Sequence, residues 1–128
     1  MWRILIIDDS KTFLTAFEQL LVEVCKPFPV SINKATNGLD GYALFEQKAF
    51  DFVFIDIEMP GVNGIDLTRL MDFQHPRKNA KIIAVSFHSD ILYIEKMFGA
   101  GARHYLCKDS ITPNTLEAIF WPQGKPLS

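Results

Sequence analysis

Five side chains suited to phosphoryl chemistry stand at the ends of apolar runs. Asp8 and Asp9 follow Trp2–Ile7, Asp56 follows Phe52–Ile55, Ser86 follows Ile82–Val85, and Lys108 follows His104–Cys107. If three carboxylates converge on one crevice they repel, each pair by roughly 4 kcal/mol at about 4 Å and an effective dielectric near 20. Protons must then be retained or a cation bound. A hard divalent cation with oxygen ligands answers this, and Mg²⁺ suits phosphate work because it keeps waters and accepts phosphoryl oxygens. With such an ion present, Asp56 would be able to attack phosphorus and become an acyl phosphate. Lys108 would offer a point charge to the phosphoryl oxygens, and the Ser86 hydroxyl a hydrogen bond. Each residue alone has a plainer reading. Asp8, Asp9 or Ser10 could simply cap a helix, Asp56 could be a loop residue, and Lys108 a surface lysine. The functional reading rests on their joint occurrence at successive strand ends.

The elements that would position these residues are legible in the periodicity. Phe52–Ile55 is too short for a helix and is followed by the turn-rich stretch EMPGVNG, so it reads as a buried strand with Asp56 at its rim. Trp2–Ile7, Val30–Ala35, Ile82–Val85 and His104–Cys107 read as four more strands. Phe13, Phe17, Leu20, Leu21 and Val24 recur at helical spacing, giving a helix over about Lys11–Cys25 that Lys26-Pro27-Phe28-Pro29 breaks. Asn37-Gly38 opens a short helix carrying Tyr42, Leu44 and Phe45. Ile65, Leu67, Leu70, Met71 and Phe73 give a third helix, and Gln74–Lys81 a polar connector with Pro76. Ile91, Leu92, Ile94, Met97 and Phe98 give a fourth, punctuated by Gly99 and Gly101. Pro113 starts the last, through Phe120. The phenylalanine-rich helical faces read as core. His75, His88 and His104 show no ligand spacing and read as surface or loop residues. Five strands alternating with five helices predict an α/β fold, a doubly wound parallel sheet covered on both faces. Its functional crevice would lie beyond the carboxyl ends of the strands.

Composition narrows the classes. A chain of 128 residues suits one domain, expected over 1–121 with a tail over 122–128. A net charge of −2 argues against direct nucleic-acid binding. No apolar run approaches a membrane span, and the N-terminus turns acidic where a signal peptide would continue apolar. Cys25 and Cys107 match no metal or redox spacing, so a reduced, cytoplasmic setting is expected, without a Cys25–Cys107 disulfide.

These residues together resemble the receiver domain of two-component response regulators over nearly the whole chain. ILIIDDS is similar to the acidic pair after the first strand, and FIDIEMPGVNG to the phosphoacceptor strand and loop. Ser86 matches the Ser/Thr position, Tyr105 the switch aromatic and Lys108 the lysine. Ala35–Gly41 matches A-x-NG-x-x-G. GARHYLCKDS is similar to the branch that often carries a C-terminal helix-turn-helix domain. The resemblance implies a flavodoxin-like (βα)5 fold with strand order 2-1-3-4-5. It implies that Asp56 accepts a phosphoryl group from a sensor histidine kinase or phosphotransfer protein with Mg²⁺. Asp9, Asp56 and the Glu58 main-chain carbonyl would ligate the metal directly, and Asp8 through water. Ser86 would then move toward the phosphoryl group and Tyr105 turn inward. The face of the fourth helix, fifth strand and fifth helix would change partners: a downstream protein, an effector domain, or a second copy in an activated homodimer. Such a domain is a phosphoacceptor that assists its own phosphorylation and dephosphorylation, not an enzyme acting on others. Ile94, Met97, Phe98, Tyr105 and Trp121 are candidates for the contact face, although core packing is the expected role for most of them.

Four positions depart from the family pattern. Phe87 follows Ser86 where a small residue usually leaves the acceptor accessible, so it is expected to cover the site partly and slow loading and hydrolysis. Phe87→Ala would then speed turnover. Glu58 and His88 occupy positions that tune dephosphorylation in the family, and an acidic Glu58 would either repel a donor or position water. Lys108 precedes Asp109 instead of proline; a cis bond there costs about 2.5–4 kcal/mol, so trans is expected. The alternative is a degenerate receiver acting as an unphosphorylated protein-binding module. An aspartate-nucleophile phosphatase and a flavin carrier fit less well, the first for want of cap insertions, the second because Asp8 and Asp9 would repel the flavin phosphate. The stretch after Phe120 is too short for an effector domain, which leaves a stand-alone receiver or part of a longer regulator.

Overall fold

Alternation inside the strands decides how the chain folds. In the computed structural model, which describes residues 1–75 and 79–127, β1 (Trp2–Ile7) turns Ile4 and Ile6 to one face and Leu5 and Ile7 to the other. β3 (Phe52–Asp56) does the same with Phe52 and Phe54 against Val53 and Ile55, and all five of its residues are buried. A strand apolar on both faces must be covered on both, as parallel sheets are. β2 (Val30–Ala35), β4 (Lys81–Ser86) and β5 (His104–Cys107) complete a parallel sheet in the order β2-β1-β3-β4-β5, as the resemblance implies.

Helices α1 (Lys11–Cys25) and α5 (Pro113–Phe120) cover one face, where Phe17, Leu21, Leu116 and Phe120 meet Phe54 and Val85. Helices α2 (Gly38–Gln47), α3 (Gly64–Gln74) and α4 (Ile91–Ala100) cover the other through Phe45, Leu67, Met71 and Met97. Each such side chain contributes roughly 1.5–3 kcal/mol on full burial. Helices α1, α2, α3 and α5 start on side-chain caps: Ser10, Asn37, Asn63 and Thr112 each accept a hydrogen bond from the backbone N–H three residues on. α5 is the shortest and carries a full capping box with Pro113 in its first turn. Thr112→Ala is expected to cost about 1 kcal/mol in urea unfolding.

Some readings need correction. Leu67 and Met71 set the buried side of α3, and Phe73, half a turn past Met71, is 77% exposed instead of core. Phe98 is likewise exposed, while Met97 is fully buried and takes the core role expected for most of the contact-face candidates. The three histidines are half-buried. His75 hydrogen-bonds the Tyr42 hydroxyl at 3.1 Å, and His104 lies in β5. Pro76 and Ser128 lie outside the described residues. Trp121 packs on Trp2 and Phe28, and Lys125 anchors the tail by donating to the Val24 carbonyl at 2.7 Å. Cys25 and Cys107 are free thiols, and burial pushes Cys25 up to about 11. The Lys108–Asp109 peptide is trans, as expected. Among the described residues no helix is long and apolar enough to cross a membrane.

Candidate functional site

The register brings the strand ends to one rim. Ile7 pairs with Ala35 and Ile55, Asp56 with Val85, and Ser86 with Cys107, so the residues following β1, β3, β4 and β5 share a level. Asp8 is buried because its N–H continues the ladder to the Ala35 carbonyl at 3.0 Å. Its Oδ1 accepts the Ser10 N–H at 2.9 Å, while Ser10 Oγ caps α1. Asp8 therefore braces the helix entry with one oxygen and turns the other to the crevice. Asp9 is exposed at the same rim. Asp56 is 6% exposed, and its Oδ1 accepts the Glu58 N–H at 3.3 Å.

Oxygens of Asp8, Asp9 and Asp56 all lie within 4.8 Å of one another. Lys108, at the start of a short 3₁₀ turn (Lys108–Ser110), reaches in from β5 with its side chain almost covered. Its Nζ is 2.6 Å from Asp8 Oδ2 and 3.7 Å from Asp56 Oδ2. Three carboxylates against this ammonium leave an excess of negative charge. Burial first, then the Asp8 charge, pushes Asp56 up to about 6 despite Lys108. Asp8 Oδ2 accepts no well-angled hydrogen bond among the described residues; its partner is the ion pair with Lys108. An all-oxygen, over-anionic cluster with a lone pair left over fits a hard divalent cation.

Ser86, 2% exposed, accepts the His88 N–H on Oγ at 3.1 Å. The Tyr105 hydroxyl donates to the His88 carbonyl at 2.7 Å. The segment between β4 and α4 is therefore tied to both residues that the sequence flagged for switching. Glu58 and His88, flagged separately, meet: the His88 ring nitrogen contacts the Glu58 carboxylate, and the ring stacks on Tyr93 at 4.4 Å. Periodicity carried no signal for this contact, which joins two loops thirty residues apart. Phe87 is 66% exposed at the mouth, its ring centroid 5.3 Å from Lys108 Nζ. Phe13 on α1, read from sequence only as a core-facing residue, places its ring centroid 4.4 Å from the same nitrogen.

A family model described as the response regulator receiver domain matches residues 4–120. The protein PilH of Pseudomonas aeruginosa is 36% identical over 121 residues, spanning 93% of this chain and 95% of PilH. The transcriptional regulatory protein DegU of Brevibacillus brevis is 29% identical over 117 residues, 91% of this chain but 48% of DegU. The chain thus spans about half the length of that relative. Among solved structures, a DNA-binding response regulator of the LuxR family from Staphylococcus aureus superposes with a TM-score of 0.82 at 26% identity, covering 94% of this chain and 97% of that one. A CheY-like receiver domain protein from Methanospirillum hungatei gives 0.82 at 24% identity, over 96% and 93%, a likeness of fold.

Proposed function

Because the chain belongs to the response regulator receiver domain family, we propose that it accepts a phosphoryl group on Asp56 from a phosphohistidine of a histidine kinase or phosphotransfer protein, and passes the change to a protein partner. The observation that carries this is the convergence of Asp8, Asp9 and Asp56 on one rim with Lys108 between two of them. Asp8, Asp9, Asp56 and the Glu58 main-chain carbonyl would hold Mg²⁺. That ion, when bound, supplies charge neutralisation for the carboxylates and for the incoming phosphoryl oxygens.

The chain's own groups do the rest. Asp56 is the attacking carboxylate, its Oδ1 oriented by the Glu58 N–H. Lys108 leaves Asp8 to meet the phosphoryl oxygens. Ser86 turns its hydroxyl from the His88 N–H toward the same group. That turn releases the segment holding the Tyr105 hydroxyl, so a covalent charge at Asp56 is relayed to the face of α4, β5 and α5. Glu58 and His88, in contact beside the acceptor, tune the lifetime of the phosphorylated form. The partner is a downstream protein, an effector domain or a second copy of the chain.

The test is intact mass after incubation with N-phosphoimidazole and Mg²⁺. The expected result is one added phosphoryl group, absent from Asp56→Asn and absent in the presence of a chelator. No addition under any condition would overturn the reading in favour of an unphosphorylated binding module.

A further inference from the structure

The surroundings of Lys108 reach beyond the carboxylates. Its ammonium touches Asp8 and Asp56, which are buried, and faces two phenyl rings, Phe13 at 4.4 Å and the exposed Phe87 at 5.3 Å. The carboxylates lie inside and the Phe87 ring stands at the mouth. In-line displacement at phosphorus puts the leaving group opposite the attacking oxygen, and so on the mouth side. A donor approaching from that side meets the exposed Phe87 ring, which shares the Lys108 ammonium with the half-buried Phe13.

Resting on the reading of Asp56 as phosphoacceptor, we propose that Phe87 and Phe13 form an aromatic collar that selects the donor by its leaving group. The collar favours a phosphoryl group carried on an imidazole ring over one carried on a carboxylate. The face of a phenyl ring is electrostatically negative. A phosphoimidazole protonated on its free nitrogen is flat and cationic, so it stacks on such a face and is attracted to it. As Asp56 Oδ forms the new P–O bond, the P–N bond breaks and its electron pair stays on the ring nitrogen; neutral imidazole leaves. With acetyl phosphate the P–O bond breaks instead, and acetate departs as an anion against the negative ring face. The collar thus helps the first departure and hinders the second. Both rings act through contact with the leaving group, which makes them specificity-determining side chains and leaves the bond-making groups unchanged.

The experiment compares rate constants for labelling by N-phosphoimidazole and by acetyl phosphate, at saturating Mg²⁺, in wild type, Phe87→Tyr, Phe87→Leu, Phe87→Ala and Phe13→Leu. The readout is the ratio of the two rates, in which any general loss of folding or metal affinity cancels. Phe87→Tyr is expected to keep the wild-type ratio. Phe87→Leu and Phe87→Ala are expected to lower it about fivefold or more, and Phe13→Leu by a smaller factor, on the scale of one aromatic contact. A wild-type ratio in Phe87→Leu would overturn the proposal, because bulk alone would then suffice. An unchanged ratio in every variant would overturn it as well, by placing the rings off the leaving group's path. Absence of labelling from both donors in every protein overturns the phosphoacceptor reading itself, and is distinguishable from either result.

Discussion

Gly64→Ala is expected to destabilise the domain by about 3 kcal/mol, the upper end for forcing atoms into a packed site. Gly64 is the first residue of α3, and its N–H donates to the Ile57 carbonyl at 2.7 Å. A Cβ there would lie 2.2 Å from the Asp56 carbonyl oxygen and 2.7 Å from Ile57 Cα. Both are backbone atoms of the segment that carries Asp56 and Glu58, so no side-chain rotation relieves the clash. The helix must retreat or the acceptor segment must shift. Urea unfolding reads the first cost, and labelling of Asp56 relative to wild type reads the displacement. Gly99→Ala is the control: a Cβ there meets nothing within 4 Å on an exposed turn of α4. It should stabilise by about 0.5–1 kcal/mol, the ordinary helical gain over glycine. A loss below 1 kcal/mol at Gly64 would mean that the close approach relaxes freely.

Asp56→Asn is expected to stabilise the metal-free protein at neutral pH by about 2 kcal/mol. Asp56 titrates at about 6 in the fold against an ordinary 3.8, because burial and the Asp8 charge disfavour its ionised form. The sign follows from linkage. An acid whose folded pKa is raised binds more protons folded than unfolded, so wild-type stability falls as pH climbs from about 4 to about 6 and stays lowered above. At 1.36 kcal/mol per unit the full penalty is about 3 kcal/mol. The asparagine amide, enclosed in the same site, gives back part of the gain. The cost of the amide does not change with pH, so the melting temperatures should cross near about pH 4.5, with wild type slightly the more stable below it, and diverge by several degrees at pH 8. Saturating Mg²⁺ should close the gap by stabilising wild type through the proposed cluster. A gap that is the same at pH 3.5 and pH 8 would show that Asp56 is not held against its charge.

The strands, the helices and the rim residues were legible because each is written locally. β1 and β3 announce themselves as short apolar runs ending on acids, α1 as an apolar stripe with a capping residue in front, and α5 by the proline in its first turn. Asp8, Asp9, Asp56, Ser86 and Lys108 were found by one rule, that chemistry in an open parallel sheet gathers at the carboxyl ends of strands. Errors arose where a residue's side of a helix had to be guessed. Phe73 looks like core by type and faces solvent, because Leu67 and Met71 fix which stripe of α3 turns inward. For Met97 both the contact face and the core were open, and packing against the sheet gives it the core role.

The sequence by itself determined the alternation of elements, the parallel sheet and the set of acids, hydroxyl and lysine at its rim, since period and position along a strand are properties of neighbouring residues. Only the tertiary structure decided which residues from different segments touch. It set the Phe13 and Phe87 rings over Lys108, brought His88 against Glu58 and Tyr93, and pressed Gly64 onto the Asp56 backbone. Such contacts join residues far apart in the chain. They depend on strand order, register and the rotation of each helix on the sheet, which close packing fixes collectively and no single stretch of sequence encodes.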